Sequence, residues 1–105
     1  MKKNWNFLMT VSTDYLELVK KKHGLINQNQ LAVFFDVTRQ SINHYYSEKR
    51  NFDIAMLLKV SKALEIDIEE IALKLCIEQA RTEKIKTYWE KEYNNFLSSQ
   101  QKEDS

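Results

Sequence analysis

The segment QNQLAVFFDVTRQSINHY, residues 28–45, contains two short helical patterns separated by an interruption. Leu31 and Phe35 share one face of the first pattern, since residues four apart are neighbours on a helix. Asp36 interrupts the apolar spacing, and Ile42 and Tyr45 mark the inward side of a second pattern. The segment therefore predicts two short helices joined by a tight turn at residues 36–38.

Small and apolar residues occupy the positions where these two helices would cross. Ala32 is small and Val37 fills the corner, so the helices can pack at the steep angle of a helix-turn-helix. The pattern resembles the Cro/CI-type (XRE-like) helix-turn-helix DNA-binding proteins. In that family the fifth motif residue is small and the tenth and fifteenth are hydrophobic. Counted from Gln28, these positions hold Ala32, Val37 and Ile42.

The turn departs from that family pattern at one position. The ninth motif residue is usually glycine in the family, and here it is Asp36. Aspartate adopts left-handed backbone angles more readily than most residues, so we expect the turn to form at a modest cost. The resemblance covers about residues 12–75 and implies a DNA-binding domain of that extent.

The resemblance also places base-reading positions on four polar side chains of the second helix: Arg39, Gln40, Asn43 and His44. These positions share one helical stripe, since steps of three and four residues return to the same face. Arginine can contact O6 and N7 of guanine, and asparagine or glutamine can contact N6 and N7 of adenine. A polar helix face is more often plain solvated surface, but the turn and the core spacing together favour base readout here.

Further polar side chains near the motif are candidates for contacts to DNA phosphates, which fix register without reading sequence. They are Gln28, Ser41, Tyr46, Lys49, Arg50 and Asn51. Each of them taken singly is equally well interpreted as solvent-exposed. Phe34 points away from the inward side, which suggests packing under the N-terminal arm or at a subunit contact; partial burial within its own domain is the favoured alternative.

The rest of the chain predicts an all-α fold, because it contains no proline and only one glycine, Gly24. The predicted N-caps are Ser12, Thr13 or Asp14 for the first helix, Asn27, Thr38 and Asp53 for the next three, and Asp67, in a capping box with Glu70, for the fifth. The predicted inward face of the fourth helix is Ile54, Leu57, Leu58, Val60 or Ser61, and Leu64. Together these patterns predict a five-helix Cro/CI repressor-like domain with a long C-terminal helix.

The predicted organisation has four segments. Alternation around Trp5 and Phe7 predicts a short extended N-terminal arm over residues 1–11. The helix-turn-helix domain follows over residues 12–75. A C-terminal helical extension over residues 76–97 is the candidate dimerisation element, and residues 98–105 form a polar, flexible tail.

The apolar pattern from Asp67 to about Leu97 predicts one long helix. Thirty residues of helix would measure about 45 Å, which is longer than a small domain can cover. The helix must therefore bend back, making its aromatic residues core, or find a partner, making them a dimer seam. We assign the dimer contact to Tyr88, Trp89, Tyr93 and Phe96. A homodimer is favoured because two copies double the contacts to a palindromic site.

Charge and composition bear on the class of function. Residues 1–50 hold eight Lys/Arg against four Asp/Glu, whereas residues 51–105 hold eight against eleven, so the basic half can face phosphate. His23, His44 and Cys76 lack metal-site spacing, and one glycine cannot build a phosphate-binding loop. We therefore expect no metal, no cofactor, no small-molecule ligand and no enzymatic activity. Without a membrane-spanning or secretory segment, the expected location is the cytoplasm.

These observations favour a sequence-specific regulator of transcription that binds double-stranded DNA. A repressor from a phage or mobile element, binding a palindromic operator as a homodimer, is the leading interpretation. The stretch EQARTEKIKTYWEKE, residues 78–92, is similar to the ends of some short phage-related proteins. The antitoxin of a toxin-antitoxin pair is an alternative, because antitoxins share this fold.

A protein-protein adaptor or inhibitor with the same fold is the alternative from a different class. It would use aromatic residues of the arm and the C-terminal extension as its contact surface: Trp5, Phe7, Trp89 and Phe96. The net charge of +1, which is low for a DNA-binding protein, supports this alternative.

Overall fold

The computed structural model describes residues 10–47 and 50–104, with residues 101–104 described by their backbone alone. This part of the chain forms six helices and no strand, which confirms the all-α prediction. The helices are α1 Val11–His23, α2 Gln28–Phe35, α3 Arg39–Ser47, α4 Ile54–Leu64, α5 Ile68–Gln79 and α6 Glu83–Asp104. Val11 already belongs to α1, and residues 1–9 of the predicted arm lie outside the described residues. None of these helices is both long and apolar enough to cross a bilayer.

The helix count differs from the predicted five because the long C-terminal pattern contains a break. Ala80 adopts extended backbone angles, with φ −63° and ψ 130°, and ends α5. Thr82 then starts α6, since its Oγ1 accepts a hydrogen bond from the backbone N–H of Ile85 at 3.2 Å. The helix predicted from residue 68 to about residue 97 is therefore two helices, the second of which has 22 residues.

Side-chain caps begin most of these helices. Asn27, Thr38 and Asp53 each accept a hydrogen bond from the backbone N–H three residues further on, at the starts of α2, α3 and α4. These three caps confirm the sequence prediction, whereas the capping box predicted at Asp67 is wrong, because the Asp67 side chain accepts no cap hydrogen bond at the start of α5. The three caps satisfy backbone donors that a helix leaves without an intrahelical partner.

The predicted cap of α1 is wrong. Thr10 fills this position, with Thr10 and Thr13 exchanging side-chain and backbone hydrogen bonds. Ser12 instead lies fully buried inside the helix, where its Oγ accepts the backbone N–H of Phe52 at 3.2 Å. This bond connects α1 to the loop between α3 and α4. It also satisfies the buried N–H of Phe52, which would destabilise the fold if it had no partner.

The chain divides into two compact units between Glu65 and Ile66. Unit 1 contains α1 to α4 around one apolar core. Its buried apolar residues are Tyr15, Leu16, Val19, Leu31, Ala32, Phe35, Ile42, Tyr45, Phe52, Met56 and Val60. The inward residues predicted for α2 and α3 are all among them.

The inward face predicted for α4 is wrong in part. Met56 and Val60 are buried, whereas Ile54 and Leu58 are exposed. α4 is apolar on most sides, so its spacing alone does not select one face. Contact with α1 selects the face that contains Met56 and Val60.

Unit 2 contains α5 and α6, which pack extensively against each other. Lys74 of α5 lies over the ring of Tyr93 of α6, with Nζ 5.7 Å from the ring centroid. Leu73 and Phe96 line a common surface groove between the same two helices. Of the two outcomes expected for the C-terminal pattern, the chain therefore bends back.

Candidate nucleic-acid interface

The turn between α2 and α3 is closed by backbone hydrogen bonds. Asp36 adopts the left-handed conformation, with φ 57° and ψ 49°. Its N–H donates to the carbonyl of Val33 at 3.1 Å, and the N–H of Val37 donates to the carbonyl of Ala32 at 3.0 Å. Both bonds satisfy carbonyls at the end of α2. Aspartate therefore serves at the position where the family usually has glycine.

The two sides of α3 differ sharply in exposure. Ile42 and Tyr45 are buried and fix the helix against α2 and α1. On the outward side Arg39, Gln40 and Asn43 are exposed. His44 is half-buried at the edge of this stripe. The structure thus brings the four predicted base-reading residues onto one stripe of α3, and their role in readout stays a prediction.

The predicted phosphate-contacting residues that the structure describes lie on α2, on α3 and in the loop that follows α3. Gln28 begins α2, Ser41 lies in the first turn of α3, Tyr46 lies near its end, and Arg50 and Asn51 lie in the following loop. Lys49 is outside the described residues. Arg50 is exposed, and its backbone N–H donates to the carbonyl of His44 at 3.3 Å. This bond holds the loop against the end of α3.

The side chain of Tyr46 is engaged within unit 1. Its hydroxyl donates to Oε2 of Glu17 at 2.7 Å, and Lys20 Nζ lies 3.1 Å from the same oxygen. The network joins α3 to α1 and gives Tyr46 a positioning role that the sequence did not reveal. Glu17 and Tyr46 are 29 residues apart in the chain, so no local sequence spacing connects them. The predicted phosphate contact of Tyr46 remains a prediction.

Both groups of this contact have shifted pKa values. Partial burial raises the pKa of the Glu17 carboxyl, but hydrogen bonds from Tyr46 and Lys20 and the charge of Lys20 outweigh it, so the pKa lies below its ordinary value. Burial, followed by the hydrogen bond and negative charge of Glu17, raises the pKa of the Tyr46 phenol well above its ordinary value. The pair is therefore most stable with Glu17 ionised and Tyr46 protonated.

We expect Tyr46→Phe to lower the free energy of unfolding at pH 7 by about 1 kcal/mol, since a hydrogen bond to a partly exposed carboxylate is lost. The stabilisation from Glu17 is present above its ordinary pKa of 4.5 and is lost as the pH falls through the lowered value. That from Tyr46 is present below its ordinary pKa of 10.0 and is lost at higher pH. Urea unfolding of wild type and Tyr46→Phe, from below pH 4.5 to above pH 10.0, measures the loss of stabilisation at both ends.

Thr87→Val is the control, because it removes an exposed hydroxyl in unit 2 from a residue that is not among the proposed dimer contacts. It should leave the free energy of unfolding nearly unchanged at every pH. A difference between wild type and Tyr46→Phe that does not shrink on acidification below pH 4.5 would contradict a stabilising contact with ionised Glu17.

The predicted dimer residues lie along α6. Tyr88 is exposed, whereas Trp89, Tyr93 and Phe96 are half-buried, so none of the four is fully buried within the chain. The rings of Tyr88 and Trp89 meet edge to face with centroids 5.0 Å apart. Exposed Ile85 lies one helical turn from Tyr88. α6 thus presents aromatic and aliphatic surface to solvent even after it folds back on α5.

Within the described ranges, no group of three or more histidine, cysteine and carboxylate side chains is placed to hold a metal ion. Cys76 is half-buried and forms no disulfide.

Comparison with known proteins gives one family match. A family model described as Helix-turn-helix matches residues 19–71. The match begins within α1 and ends in the first turn of α5, so it includes α2, the turn at Asp36 and α3. Searches of curated proteins and of solved structures gave no match.

Proposed function

The chain belongs to the Cro/CI-type (XRE-like) helix-turn-helix family, and from this membership we propose that it is a repressor that binds a palindromic operator as a homodimer. Its helix-turn-helix domain makes it a DNA-binding regulator of transcription. The outward position of Arg39, Gln40 and Asn43 on a helix whose opposite side is buried carries the proposal. We place the protein in the cytoplasm, where its DNA would be.

Readout would follow from the chemistry of the α3 stripe. Arg39 suits guanine, and Gln40 and Asn43 suit adenine, because each side chain can pair with two groups on one base edge. Each good pair discriminates against a wrong base by roughly 1–3 kcal/mol. His44, half-buried at the edge of the stripe, would contact a neighbouring base. By occupying its operator the protein would exclude polymerase.

We expect Arg50→Ala to weaken binding to all DNA sequences alike, because a phosphate contact carries no sequence information. The slope of log affinity against log salt concentration should decrease by about 1, since one fewer counterion is released. Titration of the full chain with an operator and with unrelated duplex DNA, over a range of salt concentrations, measures this. A salt slope equal to that of wild type would remove Arg50 from the phosphate contacts.

Dimerisation through α6 is part of the proposal. The supporting observation is the exposed surface around Tyr88 and Ile85, together with half-buried Trp89, Tyr93 and Phe96. The Tyr93 ring lies beneath Lys74 of α5, and Phe96 lines a groove together with Leu73 of α5, so both would support the interface from within the unit. Two copies related by a two-fold axis would place their α3 helices about 34 Å apart, or one turn of DNA.

We expect Tyr88→Glu to convert the dimer to a monomer, because a charge without a partner at a dimer contact is costly. Sedimentation of the full chain measures the change. Thr87→Glu is the matched control: it adds the same charge at the preceding exposed position, which faces a different direction on the helix. A dimer that survives Tyr88→Glu would place the interface elsewhere.

Selection of bound fragments from a random pool of double-stranded DNA tests the whole proposal. We expect enriched palindromes whose half-site centres are about 10–10.5 base pairs apart. Enrichment of single half-sites without symmetry would exclude the dimer but keep the readout. A pool without enrichment of any sequence would overturn sequence-specific binding. The phage or mobile-element origin rests separately on the similarity of residues 78–92.

A further inference from the structure

Unit 1 carries an exposed apolar surface at the end of α1 and along the outer side of α2. Val33 is 81% exposed, Ile26 is 76% exposed and Phe34 is 41% exposed. Leu25 adds a half-buried side chain. Leu25, Val33 and Phe34 line one depression, and Ile26 is the chain neighbour of Leu25. Single exposed apolar residues are common on proteins, but a group of neighbouring ones marks an interaction surface. We call these four residues the apolar strip.

Two shallow depressions adjoin at Phe34 within unit 1. One, of about 350 Å³, is lined by residues of the strip, including Leu25 and Val33. The other, of about 470 Å³, has Phe34 and Phe35 among its lining residues. The two rings meet edge to face with centroids 5.0 Å apart. The His23 ring also contacts Phe34, with ring centroids 4.6 Å apart.

Basic side chains surround the larger depression. Lys22, His23, Lys59 and Lys62 line it, with Glu65 as the acidic residue among its lining side chains. Glu65 lies 3.4 Å from Lys22 and offsets part of its charge. The remaining charge is positive. We call these four basic residues the basic rim.

Part of the basic rim also stabilises the fold. Lys59 Nζ donates to the carbonyl of Phe35 at 2.6 Å, and His23 Nε2 lies 2.8 Å from the carbonyl of Ala63. These two contacts with carbonyls near helix C-termini account for two of the four residues. The Lys59 ammonium keeps two further donors. Lys62 forms no hydrogen bond or ion pair with any side chain in the described part of the chain.

We propose that the apolar strip and the basic rim together bind an acidic segment of a partner protein. An aromatic or aliphatic side chain of that segment would pack on Phe34 and Val33, and flanking carboxylates would pair with Lys62 and Lys59. Charge complementarity selects an acidic partner. The inference goes beyond DNA binding and uses a different surface from the α3 stripe.

Two other ligand classes fit these observations less well. DNA phosphates would use the basic rim but would leave Val33 and Ile26 exposed, because phosphate contacts are made by polar and charged side chains. A small anion would occupy one depression only, and Ile26 lies outside the lining of both. A peptide segment covers the strip and the rim at once.

Selection of peptides from a displayed random library on the full chain, without DNA, tests the proposal. We expect enriched peptides to carry Asp or Glu around one aromatic or aliphatic residue. A synthetic copy of the most enriched peptide is then titrated against variants. Val33→Ser and Phe34→Ser should each weaken it about tenfold, as expected for loss of one well-buried apolar contact. Lys62→Gln should weaken it about threefold and reduce its salt dependence.

Matched controls separate binding from folding. Ile54→Ser removes an isoleucine that is 74% exposed but lies outside both depressions, and Lys91→Gln removes an exposed charge in unit 2. Neither should change peptide affinity. Phe34 contacts two other rings, so its variant is checked by thermal unfolding. The highly exposed Val33 keeps the test decisive if Phe34→Ser is unstable.

Several results would overturn the proposal. These are a library without enrichment, enriched peptides that are neutral or basic, and affinities unchanged by Val33→Ser. Dissociation of a dimer by Val33→Ser would assign the surface to a second copy of the chain instead. If no peptide binds the chain and Lys62→Gln lowers the affinity for duplex DNA, the basic rim would be assigned to DNA binding. Because the peptide titration contains no DNA, failure of the operator selection leaves its result unaffected.

Discussion

Arg39→Ala is expected to lower affinity for the selected operator by about tenfold to a hundredfold, the loss that follows from removing one bidentate base contact. Affinity for unrelated DNA should fall much less, so the ratio of operator affinity to non-specific affinity decreases. The physical reason lies in the position of Arg39, exposed at the start of α3 directly after the turn. Competition between operator variants with single base changes identifies the position at which discrimination is lost.

Arg39→Lys and Arg81→Ala complete this experiment. Lysine keeps the charge but not the planar fork, so Arg39→Lys should recover non-specific affinity without recovering discrimination. Arg81 is exposed between α5 and α6, and its removal should leave discrimination intact. Full discrimination by Arg39→Ala would favour the adaptor interpretation over base readout.

Ile42→Ala is expected to lower the free energy of unfolding by about 3 kcal/mol, within the range of 2–5 kcal/mol typical of buried isoleucine truncation. Ile42 is fully buried and lies on the side of α3 opposite to the polar stripe. Its removal leaves a cavity where α3 packs on the rest of unit 1, because close-packed cores relax only partly. Urea unfolding followed by circular dichroism measures the change.

Ile54→Ala is the matched substitution, since Ile54 is an isoleucine in the first turn of α4 and is largely exposed. It should change the free energy of unfolding by less than about 0.5 kcal/mol. An equally small effect of Ile42→Ala would contradict the assignment of Ile42 to the core. It would also mean that burial of Ile42 does not hold the polar side of α3 toward solvent.

Much of the helix-turn-helix could be predicted because its signals are local. Ala32, Val37 and Ile42 stand at fixed spacings, and short polar residues cap the helices on either side of the turn. Asp36 was expected to adopt the left-handed conformation, and it does. These features depend on steric limits and on hydrogen bonds between near neighbours, which a sequence displays directly.

Other features could not be predicted because they depend on tertiary contacts. α4 is apolar on several sides, and only its packing on α1 selects Met56 and Val60 for the core. The contact between Glu17 and Tyr46 joins distant parts of the chain. The break before α6 had a local signal, the capping position of Thr82, but no glycine or proline drew attention to it.

The shortness of α3 has a statistical consequence for a genome. Nine residues form a helix about 13 Å long, which at 3.4 Å per base pair spans roughly four base pairs. Any given four-base-pair sequence occurs by chance about once in 256 base pairs, so a genome of about 10⁶ base pairs contains thousands of competing sites. Two four-base-pair sequences at a fixed separation occur by chance about once in 65,000 base pairs, which leaves on the order of ten or twenty chance occurrences in the same genome. A single α3 helix therefore cannot specify one site in a genome. The additional base pairs must be recognised by a second copy of the protein or by other residues of the same copy.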